Sequence, residues 1–148
     1  MAEAAGAARD LARFHAAQAR QYADALAELR AGRKTSHWIW FVFPQLRALG
    51  RSGTARFYGI EDLAEAQAYL ADPVLSARLA EAAGAVLDHA GTAVETIMGS
   101  SVDALKLRSS ATLFAHAGPA TPAGAAMLSL LQRFWAGAGD PLTRDLLA

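Results

Sequence analysis

Three groups of residues in this chain combine side-chain types that can do chemistry. The first is Ser36-His37-Trp38, with Trp40 and, a few positions on, Pro44-Gln45. Trp38 and Trp40 bring flat apolar faces and indole donors, and His37 can act as acid or base near neutral pH. A polar cluster at the mouth of an aromatic segment has the make-up of a ligand pocket. The plainer alternative is a helix cap at Ser36, a partly exposed histidine and core tryptophans. The second group is Asp103, Lys106, Arg108, Ser109, Ser110 and Thr112. On a helix, Asp103, Lys106 and Ser110 share a face and Ser109 stands beside Lys106. An ammonium and two hydroxyls at that spacing suit a phosphate or carboxylate. A serine activated by its lysine neighbour is also conceivable. The order is Lys-x-x-Ser, the reverse of the Ser-x-x-Lys of penicillin-recognising enzymes, so that motif does not apply. The alternative is an ion pair at i,i+3 with ordinary helix serines. The third group is Gln18, with Arg13 and His15 nearby. Gln18 falls within an apolar helical row. A buried amide must find partners, so it marks either a structural network or a site.

Other chemistry is absent from the sequence. The histidines, His15, His37, His89 and His116, lack metal-ligand spacing such as His-Glu-x-x-His, so no metal is expected. With no cysteine, thiol catalysis, disulfides and zinc–thiolate sites are excluded. There is no Gly-x-Gly-x-x-Gly, no phosphate loop and no Gly-x-Ser-x-Gly. No cofactor or reaction follows from the residues; His37 is the candidate for catalysis.

Composition sets the frame for these groups. At 148 residues the chain fits one domain with one core, with residues 1–8 as a flexible N-terminus. Hydrophobic residues at 53% and charged residues at 19% describe a globular chain, not a disordered one. The formal net charge is zero, so the basic surplus that general nucleic-acid binding needs is missing. Arg30, Arg33 and Lys34 cluster, which reads as the solvated end of a helix. Met1 to Ala8 has no apolar stretch of a signal peptide, and the densest apolar run, Trp38 to Phe43, is too short to cross a bilayer. A cytoplasmic protein without membrane attachment is expected.

The elements that must position the three groups read as helices. Asp72-Pro73, Thr121-Pro122 and Asp140-Pro141 each pair an N-cap side chain with proline at the first helical position. Thr92 with Glu95 has the form of a capping box, and Ser100 with Asp103 is a weaker relative. Leu11, Phe14, Gln18, Tyr22, Leu26 and Leu29 recur at steps of three and four, predicting a helix from about Asp10 to Arg30 with Gly32 just past its end. Further helices are expected before Asp72, after Pro73, over about 93–98 and 102–116, from Pro122 to Trp135, and from Pro141 to Leu147. Trp38 to Phe43 has the propensity of a strand. A lone strand lacks a partner for its backbone, so the segment is read as a buried helix capped by Ser36 and ended by Pro44. Arg56 to Ile60 is the other short strand-like stretch.

The run from Gly32 to Leu46, with its His-Trp-x-Trp-x-x-x-Pro-Gln pattern, resembles a signature of the bacterial family catalogued as domain of unknown function 1810. Asp103 to Phe114 is similar to that family's second signature, and Arg13-Phe14, Ala17-Gln18, Glu65-Ala66, Tyr69-Leu70, Gly137 and Asp140 also match it. Ile39 and Ala111 stand where methionine is common in the family. The resemblance implies a multihelical all-α single domain with buried central helices. It implies no function; the label calpastatin often attached to members suggests a disordered inhibitor, which this composition does not fit. Because the signatures keep Ser36, His37, Gln45, Asp103, Lys106, Ser109, Ser110 and Thr112, a shared site becomes the better reading. The expected ligand residues are Ser36, His37, Trp38, Trp40, Gln45, Lys106, Ser109, Ser110 and Gln18. They would serve a domain or enzyme that takes a small anionic, nucleotide-like ligand. The alternative is a protein–protein interaction module without catalysis, with a homodimer as one form.

Overall fold

Side-chain oxygens start most of the helices. Asp72 accepts from the backbone N–H groups of Val74 and Leu75, Thr121 from Gly124, Asp140 from Thr143 and Ser100 from Asp103. Each satisfies a donor that the first helical turn leaves free, worth about 1 kcal/mol apiece. In the computed structural model, which describes residues 10–148, these and other starts give α1 (Ala12–Arg30), α2 (Ile39–Val42), a 3-10 turn (Arg47–Leu49), α3 (Gly53–Phe57) and α4 (Leu63–Ala71). There follow α5 (Pro73–Leu87), α6 (Val94–Met98), α7 (Ser101–Ala117), α8 (Pro122–Trp135) and α9 (Pro141–Leu147). The only β-type pairing among the described residues is an isolated parallel bridge between Leu46 and Ile60. The fold is all-α, as expected. The reading of residues 1–8 as a flexible tail lies outside the described residues.

Two expected caps are not formed. Thr92 and Glu95 make no capping box: α6 starts from Ala93, which has extended backbone and no side-chain cap bond. Thr92 instead closes the preceding turn, its N–H donating to the His89 carbonyl. Ser36 does not cap the aromatic helix either. Trp38 occupies that position without a side-chain bond, and only one turn, Ile39–Val42, is helical. The Ser36 hydroxyl donates to Glu28 instead, 2.6 Å away. Pro44 then ends the turn as expected, because its ring pushes the preceding Phe43 out of the helical region (φ −124°, ψ 72°).

The core is continuous. Phe14, Tyr69 and Phe114 form an aromatic chain, edge-on at 5.1 Å and tilted at 5.0 Å between ring centres. Trp38, Phe43, Ile97 and Met98 are fully buried beside it. Each large apolar side chain so buried contributes about 1.5–3 kcal/mol relative to exposure. Helix α7 is the central helix. It packs on α2, α4, α6, α8 and α9, and Ala104, Leu107, Ala111, Leu113 and Phe114 are buried along it together with Ser109, Ser110 and Thr112. The single turn α2 is wedged between α1, α5 and α7. No helix of the described residues is long and apolar enough to cross a membrane.

Candidate functional site

The segment between α1 and α2 is organised by one carboxylate. Glu28, in the last turns of α1, accepts from the backbone N–H groups of Thr35 (2.8 Å) and Ser36 (3.0 Å), from the Ser36 hydroxyl (2.6 Å) and from the Trp38 indole (2.9 Å). Partial burial by itself would raise its pKa. The four donors outweigh that and hold it at about 2, so Glu28 is ionised throughout the physiological range. Gly32 begins the turn in the left-handed region (φ +79°), as its position predicts.

Lys34 corrects the reading of the Arg30, Arg33 and Lys34 run as a solvated terminus. Arg30 and Arg33 are exposed, but Lys34 is buried. Its ammonium lies 2.7 Å from Asp103 Oδ2, donates to the Ser36 carbonyl and sits 5.0 Å from the Trp38 ring centre. The turn before α7 makes this possible. The Lys34 N–H donates to the Ile97 carbonyl at 2.8 Å, and the Lys34 carbonyl passes so near Gly99 that a Cβ there would come within 2.6 Å of it. Gly99 also has φ +84°, so glycine is required on both counts.

Asp103 joins the two expected groups. Its Oδ1 lies 3.6 Å from the Lys106 ammonium, one turn further along α7. Lys106 in turn sits 5.3 Å from the Trp40 ring centre. Two ammoniums thus share one carboxylate beside a half-buried indole. His37 is exposed and forms no hydrogen bond among the described residues. Trp38 is fully buried, so of the two tryptophans only Trp40 reaches the surface.

The remaining candidates sit elsewhere or are occupied. Ser109 is buried and its hydroxyl donates back to the Leu105 carbonyl, 3.1 Å away. Ser110 is completely buried and its hydroxyl has no partner among the described residues. Neither hydroxyl bonds Lys106. Thr112 donates to the Arg108 carbonyl (2.8 Å) and accepts from the Asp140 N–H (2.8 Å), fastening α9 to α7. Gln18 is buried in a network: its amide donates to the Phe41 carbonyl (2.7 Å) and the Tyr69 hydroxyl (3.1 Å), and its carbonyl accepts from Arg78 (3.4 Å). Gln45 is half-buried, and its backbone carbonyl accepts from the Ile60 N–H at 2.8 Å. Arg13 spans to Glu65 (3.1 Å) and the Gly59 carbonyl (2.9 Å), and His15 pairs with Asp72 at 2.7 Å. Burial by itself would raise Asp72, but the N–H groups of α5 and His15 draw its pKa below the ordinary value.

Sequence reasoning overlooked Glu28 and misread Lys34 as solvated. Lys34 lies inside the first signature, two positions before Ser36, and that placement was the available signal. Glu28 stands on α1 with nothing local to mark it. Among the described residues no group of three or more His, Asp and Glu side chains is placed to hold a metal. Two clefts are found away from this cluster, one of about 370 Å³ between α7, α8 and α9 and one of about 190 Å³ beside Leu46 and Leu146.

A family model described as "Protein of unknown function (DUF1810)" matches residues 8–147. The crystal structure of the conserved hypothetical protein Rv1873 from Mycobacterium tuberculosis is similar, with 50% sequence identity and a TM-score of 0.86. The match covers 93% of this chain and 96% of that one. No curated protein matches the chain.

Proposed function

The chain belongs to the DUF1810 family of proteins of unknown function, and from the geometry of the site we propose that it binds a small anionic ligand with a flat, nucleotide-like group where the 34–45 segment meets the start of α7. One observation carries this reading: the Lys106 ammonium lies 5.3 Å from the ring centre of Trp40, a half-buried indole. The ammonium lies over one face of the indole, and a cation held against a partly exposed aromatic surface suits a planar group bearing negative charge beside it. The shared Asp103 supports it further, since one carboxylate serves both Lys34 and Lys106. Glu28 is a second carboxylate in the cluster, and its oxygens already accept four hydrogen bonds.

In this reading Trp40 packs on the flat group, Lys106 pairs with the anion, and His37 is the group that would move a proton if the ligand is turned over. Ser36, Trp38 and Gln18 hold the shape, and Ser109 and Ser110 belong to the packing of α7. A thermal-shift screen against nucleotides, sugar phosphates and carboxylates tests it. A ligand at a hundred times its Kd stabilises the fold by about 2.7 kcal/mol. The expected result is a shift that Lys106→Met abolishes without lowering the Tm of the free protein. A screen without a shift, or a shift that survives Lys106→Met, sinks the reading.

A second reading, an interaction module without catalysis, is favoured by Val102 (60% exposed) and Leu105 (55% exposed), which precede Lys106 on α7. A second copy of the chain is one partner of that chemistry. Sedimentation at micromolar concentration separates the readings: a dimer that dissociates in Leu105→Asp supports this one. We also propose a bacterial, cytoplasmic setting, since the similar crystal structure comes from a bacterium; cell fractionation tests the compartment.

A further inference from the structure

We propose that the cleft between α7, α8 and α9 is a second binding site, for a small carboxylate carrying an apolar chain. The cleft measures about 370 Å³, which falls within the size range of small-molecule sites. Leu128 and Leu131 of α8 and Leu147 of α9 give it apolar walls. Its polar side chains are Thr112, whose hydroxyl is engaged by Arg108 and Asp140, and two others: His116, near the end of α7, and Arg144 of α9. Neither of these last two side chains has a hydrogen-bond or ion-pair partner among the described residues.

Arg144 lies against the loop that joins α8 to α9. A Cβ at Gly139 would come within 2.6 Å of Arg144 Nε and 3.0 Å of Thr112 Cγ2, so the arginine lies close against this loop. The loop itself is pinned on both sides. Arg108 Nε donates to the Ala138 carbonyl at 3.0 Å, and the Asp140 N–H donates to Thr112 at 2.8 Å. Asp140, the neighbouring acid, is engaged in capping α9 through the Thr143 N–H (2.9 Å) and hydroxyl (2.6 Å). What the cleft offers is therefore a guanidinium fork and an imidazole above leucine walls. A guanidinium binds a carboxylate through two parallel hydrogen bonds, and the leucines remove an alkyl chain from water. Ala148 also lines the cleft.

The site is independent of the Trp40–Lys106 surface, and its test is separate. The full chain is titrated with butanoate, hexanoate and octanoate at fixed ionic strength and followed by two-dimensional NMR, with hexanol and hexylamine as controls. Hexanoate should give saturable shifts confined to residues around His116, Leu131 and the 137–139 loop. Affinity should rise by about fourfold per added methylene until the cleft is full. Hexanol, hexylamine and the Arg144→Gln variant should each bind at least tenfold more weakly, while Lys106→Met leaves the titration unchanged. Ala115→Leu fills the cleft without touching its charge and should remove binding. The proposal is overturned if hexanoate gives no saturable shift at millimolar concentration. It is overturned equally if Arg144→Gln or Ala115→Leu binds like the parent chain.

Discussion

Lys34 Nζ lies 2.7 Å from Asp103 Oδ2, and through this contact the segment after α1 is locked to the first turn of the central helix. The partners are not equally placed. The Lys34 side chain is 5% exposed and that of Asp103 is 17% exposed, with Lys106 as a second cation for Asp103.

That inequality predicts an asymmetric response to mutation. Asp103→Ala strands a buried ammonium and should cost about 3–5 kcal/mol. Lys34→Met keeps the stem's packing and leaves Asp103 paired with Lys106, so its cost should be smaller, about 1–3 kcal/mol. Urea denaturation of both variants checks the order. Equal losses, or the reverse order, would show that the pair is not the buried contact described.

Glu28 predicts a pH dependence. Its folded pKa of about 2 lies below the ordinary 4.5. Its stabilising contribution is therefore complete above pH 4.5 and disappears as pH falls toward 2. Glu28→Gln should flatten the stability curve across that window and cost about 1–2 kcal/mol at neutral pH, since hydrogen bonds to a charged acceptor become neutral ones. Glu28→Ala should cost more, because the Trp38 indole N–H loses its acceptor. Chemical denaturation at a series of acid pH values reads both effects.

Lys106 predicts a small effect on stability. Its ion pair with Asp103 is long, at 3.6 Å, and a quarter of its side chain is exposed. Lys106→Met should therefore change stability by less than about 1 kcal/mol. A larger loss would assign Lys106 to the architecture and remove the main support for a ligand surface at Trp40.

Ala136 predicts a gain. It ends α8 in the left-handed region with φ +53°, immediately before Gly137 at φ +84°. A Cβ in that conformation costs about 1 kcal/mol. Ala136→Gly should raise stability by about 0.5–1 kcal/mol, visible as a Tm increase of a few degrees. A fall in Tm would contradict the assigned backbone.

Much of the helical layout is legible in the residues. Pro122–Trp135 and Pro141–Leu147 begin and end where the sequence places them, and α1 differs by only two residues at its start. The errors share a cause. Ser36 and Thr92 have the right type and spacing for caps, but the Ser36 hydroxyl donates to Glu28 and the Thr92 N–H to His89. A cap must compete with every other partner that folding brings near, and local spacing does not show those partners.

The site follows the same division. The sequence by itself determined the all-α class, the helix starts at Asp72, Ser100, Thr121 and Asp140, and the two segments worth inspecting. Those features depend on bonds within a few residues of each other and on the period of one helix. Only the tertiary structure decided that Lys34 is buried on Asp103, that Trp38 is core while Trp40 reaches the surface, and that Ser109 and Ser110 are buried without bonding Lys106. These outcomes depend on which elements lie against each other, since the cost of burying a charge or an indole N–H is set by partners distant in the chain.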